Sequence, residues 1–219
     1  MFCRNERWIL EEACKQTRLW QKAHAGYEKL SISVNLSAKQ LMHPGLRGQL
    51  EEVLKNTGLN PRFLKLEVTE STVIERSETA LEVLSEIKAL GLSLSMDDFG
   101  TGYSSLSYLH QFPFERLKID RSFVDKMDHD PKSEAIVRTI LLLGKNLKME
   151  VVAEGIESTR QPNLLRILGC GLGQGFLFSP PLNATEAEKF LVDRIENENH
   201  IPRNSFRITS ELLEFSEIQ

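Results

Sequence analysis

Five side chains able to give oxygen to a hard cation stand at or near the ends of short apolar runs: Asn35, Glu67, Asp97, Asp98 and Glu154. Mg²⁺ and Mn²⁺ take oxygen ligands in a near-octahedral array. In the Asp97-Asp98 pair, one carboxylate can bridge two ions while its neighbour binds the second. Two ions ~3.5–4 Å apart clamp an in-line displacement at phosphorus. One acidic residue at a strand end reads as a helix cap or a solvated turn. Five gathered donors read differently, because burying that charge without a cation is expensive. Lys118 lies inside the apolar run Leu117-Lys118-Ile119. It reads as a salt-bridge partner of a carboxylate, as a buried cation touching the attacking water or a phosphate oxygen, or as a Schiff-base amine. The loop Asp98–Ser105 sets Gly100 and Gly102 beside hydroxyls. That is weak evidence for phosphate binding, and a plain turn has the same composition.

Elements able to position these residues follow from periodicity. Six short apolar runs have strand length: Ser31–Leu36, Phe63–Thr69, Leu92–Met96, Arg116–Ile119, Met149–Ala153 and Gly173–Phe178. Several are apolar at nearly every residue, as strands buried on both faces would be. Helical patterns separate them. Trp8–Ala23 is one; Leu46–Thr57 and Thr79–Leu90 stop at Gly58 and Gly91. Asp130-Pro131 opens a helix to about Leu147, with proline at the first helical position. Arg160–Leu168 precedes Gly169, and Asn183–Glu186 resembles a capping box for a helix to about Ile195. Alternating strands and helices predict parallel strands joined by right-handed crossovers. Asn35, Glu67, Asp97, Lys118, Glu154 and Gln174 fall at or near the run ends. Polar residues converging from many strands favour a TIM-type barrel over a doubly wound sheet, where only strands near the switch point contribute.

Composition removes other classes. The 219 residues carry a net charge of −4, with a pI near 5.8, so the basic excess of a duplex-binding surface is missing. Three cysteines, Cys3, Cys14 and Cys170, form no C-x-x-C pair and read as reduced thiols of a cytoplasmic protein. No H-x-x-x-H pair suggests zinc. No apolar run approaches the ~18 residues of a membrane span, and MFCRNERW lacks the apolar core of a signal peptide.

Taken together, SVNLSAKQL (33–41), LEVTES (66–71), MDDFGTGYSSLSYL (96–109), LKIDRSFV (117–124), VVAEGIES (151–158) and GQGFLFSPPL (173–182) resemble the EAL domain, the bacterial family of cyclic-di-GMP phosphodiesterases. The likeness covers about residues 7–192. It implies a modified (β/α)8 barrel in residues 1–196 and hydrolysis of cyclic di-GMP to linear pGpG with Mg²⁺ or Mn²⁺. It implies metal ligation by Asn35, Glu67, Asp97 and Asp98. Glu154 would serve as general base or second-metal ligand, supported by Glu157. Lys118 would contact the hydrolytic water, and Glu70 would anchor the loop after the aspartates. Asp120 would lie near the nucleotide, and Gln174 would complete the site.

The departures are specific. The E-A-L sequence that names the family, whose Glu is a metal ligand, is absent here, as is the nearby substrate-binding Arg. The chain begins at the helix that normally follows them, so two strands are expected to be missing from the barrel. A non-catalytic module that binds cyclic di-GMP is therefore the competing expectation. Gly171 and Phe176 stand where the family often has Asp and Tyr. Residues 197–219 form a polar tail, within which Ile208–Ile218 reads either as a frayed end or as an amphipathic helix for docking or homodimer contact.

Overall fold

A computed structural model describes residues 4–75, 77–102, 109–198 and 207–208. Strand and helix alternate along them. Helix α1 (Arg4–Ala23) leads to β1 (Ile32–Asn35), then α2 (Ala38–Leu41) and α3 (Leu46–Thr57). Strand β2 (Leu64–Thr69) runs into α4 (Glu70–Glu75) and α5 (Ser77–Ala89), followed by β3 (Ser93–Phe99) and β4 (Arg116–Ile119). After α6 (Arg121–Val124) and α7 (Pro131–Leu147) come β5 (Glu150–Ala153), α8 (Arg160–Ile167), β6 (Leu172–Gly173), α9 (Ala184–Glu198) and β7 (Arg207–Ile208).

The helix boundaries have local causes. Asp130 accepts from the amides of Lys132 and Ser133 at 3.2 and 3.1 Å, and Pro131 follows at the first helical position. Gly58 ends α3 in the left-handed region at φ 68°. Asn183 and Glu186 exchange side chain-to-backbone bonds, so the expected capping box opens α9.

All neighbouring strands are parallel, and their spatial order repeats their order in the chain, β1 to β7. A doubly wound sheet needs a reversal of strand order. Without one, right-handed crossovers leave every helix on the same face, the winding of a barrel. The described sheet is an open part of such a barrel. Its first six strands correspond to the six apolar runs of the sequence. The sixth differs in extent: the strand is Leu172–Gly173, not Gly173–Phe178, because Gly175 at φ 155° turns the chain out of the sheet. Within residues 197–219, expected as a polar tail, Arg207–Ile208 pair with β6 as a seventh strand. The rest of the Ile208–Ile218 segment lies outside the described residues.

The strands are also less uniformly apolar than their runs suggest. Ile32, Leu64, Leu66, Val68, Leu94, Met96, Leu117, Ile119 and Ala153 join the buried core with Leu50, Val53, Leu84, Ile87, Val137, Ile140 and Leu165 of the helices. By the two-residue period, the opposite face receives Ser33 and Asn35, Lys65, Glu67 and Thr69, Ser95 and Asp97, Arg116 and Lys118, and then Glu150, Val152 and Glu154, with Val152 its apolar member on β5. The inside of the partial barrel is therefore polar, and it is where the chemistry-bearing residues collect.

Candidate active site

Register places the donors. Asn35 pairs with Glu67 on the adjacent strand, and Thr69 pairs with Asp97. Between β3 and β4 the ladder slips: Met96 faces Leu117 but Phe99 faces Ile119, so one extra residue sits on β3 at Asp97-Asp98. This is a β-bulge, and Asp98 takes φ 54° to make it. Successive strand residues normally point to opposite faces; the bulge turns both carboxylates to one side. Oxygens of Asp97, Asp98 and Glu154 lie within 4.8 Å of one another.

Glu67 reaches this group through Lys118. The Lys118 Nζ donates to Glu67 Oε2 at 2.5 Å, and lies 2.5 Å from Glu154 Oε1 and 3.3 Å from Asp97 Oδ1. Burial by itself would discharge the ammonium, but Glu154, Glu67 and Asp97 outweigh it and hold the Lys118 pKa well above its usual range. The salt-bridge reading of Lys118 is thus realised with three partners at once. Burial pushes the Glu154 carboxyl up to about 8, against the pull of Lys118 and with the help of the Asp97 charge. Burial, then the Asp97 and Asp120 charges, also raise Asp98. Four carboxyl groups against one ammonium leave an excess of negative charge that favours protons or cations.

The remaining candidates surround this centre. Gln174 Nε2 donates to Glu154 Oε1 at 3.0 Å. Glu70 is buried at the start of α4 and accepts from the Gly100 amide at 2.9 Å, which pins the turn after the aspartates. A Cβ at Gly102 would stand 3.2 Å from the Glu70 carboxyl carbon, so the small residue lets that turn lie close. Asp120 caps α6, accepting from the Ser122 amide at 2.9 Å, while its charge faces Asp98. Glu157 ion-pairs with Arg121 at 2.7 Å. A cleft of about 210 Å³ adjoins the cluster, lined by Arg121, Glu154, Glu157, Gln174, Phe176 and Ser179, with Pro180 and Pro181 behind. Sequence reasoning did not single out Arg121 or Ser179. Arg121 adjoins Asp120 in the chain, while Ser179 lies five residues after Gln174 with no local signal of its own.

The residues fit divalent cations. Every donor offers oxygen, the charge excess is negative, and Gln174 Oε1 is buried without a hydrogen-bond partner among the described residues.

Residues 4–181 match the family described as the EAL domain. The chain belongs to the EAL domain family. A curated relative, the bifunctional diguanylate cyclase/cyclic di-GMP phosphodiesterase MucR of Pseudomonas aeruginosa, is 45% identical over 179 residues, covering 82% of this chain and 26% of the relative. The solved PaMucR phosphodiesterase in complex with c-di-GMP superposes with a TM-score of 0.79 at 44% identity, covering 82% of this chain and 72% of that one. The manganese and cyclic-di-GMP complex of Klebsiella pneumoniae BlrP1 gives 0.70 at 34% identity, covering 80% and 44%. These EAL structures carry the TIM-type barrel of which this chain forms a parallel half-barrel. The chain spans about a quarter of the length of the curated relatives it matches. No described helix is long and apolar enough to cross a membrane.

Proposed function

We propose that this EAL domain holds Mg²⁺ or Mn²⁺ on Asn35, Glu67, Asp97, Asp98 and Glu154 and hydrolyses one phosphodiester of cyclic di-GMP to linear pGpG. The observation that carries the reading is the bulge that turns Asp97 and Asp98 together toward Glu154 beside a buried lysine. Relatives named for cyclic-di-GMP phosphodiesterase activity support it. Bound cations would lower the pKa of water and stabilise charge on the phosphoryl oxygens.

The chain's own residues do the rest. Glu154 Oε1 is occupied by Gln174 and Lys118, which leaves its other oxygen to take the proton of the attacking water. Without metal the Glu154 carboxyl is held up to about 8; bound cations would draw it down and leave it ionised, able to accept a proton near neutrality. Lys118 offsets the cluster's charge near the reacting phosphate, and Glu70 holds the aspartate turn. Arg121 and Glu157 give the cleft a charged wall, Gln174 joins it to the cluster through Glu154, and Asp120 faces Asp98.

Turnover of cyclic di-GMP with Mg²⁺ or Mn²⁺, compared with Asp97→Asn, tests the reading. The variant should lose on the order of 10–100-fold or more in rate, since even loss of a group that only supports a metal ligand costs that much; equal rates would sink it. The absence of the E-A-L glutamate and its nearby arginine from these residues favours a second reading, binding without turnover. Calorimetric binding of cyclic di-GMP with no pGpG formed would select that one.

A further inference from the structure

The middle of the carboxylate cluster already holds a cation of the chain's own. Lys118 Nζ contacts Glu67, Glu154 and Asp97, three of the five side chains assigned to metal, and its side chain is 3% exposed. A Mg²⁺ ion draws ligand oxygens to ~2.0–2.1 Å. An ammonium and a dication competing for the same oxygens in a shielded site repel each other strongly. The backbone of Lys118 cannot yield, since β4 is paired on both sides, to β3 and β5. The four-carbon stem can, because it is flexible.

We propose that Lys118 is a resident counter-ion occupying part of the divalent-cation site, so that loading requires its ammonium to withdraw from Glu67 and Asp97. This rests on the metal-binding reading above. Glu154 need not lose its orientation in the exchange, because Gln174 Nε2 also holds its Oε1. The lysine keeps the polar interior charge-compensated before loading, and it sets the cation affinity below what the carboxylates alone would provide. The cluster then answers to changes in free Mg²⁺ instead of remaining saturated.

Calorimetric titration of MnCl₂ into the wild-type chain, Lys118→Met and Asp97→Asn tests this. Lys118→Met should bind Mn²⁺ at least about tenfold more tightly than wild type, since a neighbouring positive charge is gone. Asp97→Asn should bind more weakly. If wild type binds and Lys118→Met binds equally or less tightly, displacement is wrong while the metal reading stands. If neither binds, the metal reading itself fails. Should Lys118→Met not fold, the ¹⁵N-labelled lysine ammonium of the wild type supplies the measurement. Its protection from hydrogen exchange should fall on saturation with Mg²⁺. Protection unchanged through saturation overturns the proposal.

Discussion

At the scale of single residues, Glu154 and Asp98 make the cluster's excess charge measurable. The folded Glu154 carboxyl keeps its proton to about 8, while the unfolded one releases it near 4.5. Between those values the folded state binds the extra proton, so stability falls as pH rises. Without divalent metal, the thermal midpoint should therefore drop from pH 5 to pH 8, and Mg²⁺ added at pH 8 should recover it. A midpoint flat over that window contradicts the assignment. Asp98 combines a raised carboxyl pKa with a left-handed backbone. Asparagine tolerates that conformation and a β-branched residue does not. Asp98→Asn should melt at or above the wild type in EDTA yet lose the Mg²⁺-dependent rise. Asp98→Val should melt lower in both conditions.

At the scale of elements, the site depends on two local irregularities. One is the bulge in β3. The other is the crossing of the loop after β5 with the loop after β6, where Ile156 N donates to Gln174 O at 3.0 Å and Leu177 N to Ile156 O at 2.9 Å. Gly175 permits that crossing: at φ 155°, a Cβ would lie 2.2 Å from Ile156 N and 2.3 Å from its carbonyl oxygen. Those are backbone atoms and cannot swing aside. Gly175→Ala should cost about 2–3 kcal/mol in chemical denaturation and loosen Gln174 from Glu154. A change under about 0.5 kcal/mol would show that the two loops do not need each other.

At the scale of the whole molecule, the partial barrel has an open margin along β1, which pairs with β2 alone among the described residues. The Leu36 amide bonds to Glu67 O at 2.8 Å. Alternation along a strand then turns the Val34 amide toward β2 and those of Ser33 and Asn35 away from it. In native-state hydrogen exchange, Ser33 and Asn35 should exchange well ahead of Val34 and Leu36. Equal protection would mean that another strand covers this edge. Asn35 sits on this margin beside Glu67.

Much of this was legible in the residues in order. Run lengths, the stops at Gly58 and Gly91, the Asp130-Pro131 start and the polar residues at run ends specify parallel strands and a site at their ends, because periodicity and caps are local properties. Other features had no local signal. That Asp97 and Asp98 face the same way depends on a slip against β4, a pairing between segments distant in the chain. That Lys118 meets three carboxylates depends on β3 and β5 flanking β4, with β2 one strand further on beyond β3. That Glu157 meets Arg121 depends on the loop after β5 lying against the helix after β4. The Asp97-Asp98 pair could be read from sequence as metal-seeking. A salt bridge for Lys118 could be read as well; only the tertiary structure decided that it joins Asp97, Glu67 and Glu154, because charge compensation is decided by which strands lie side by side.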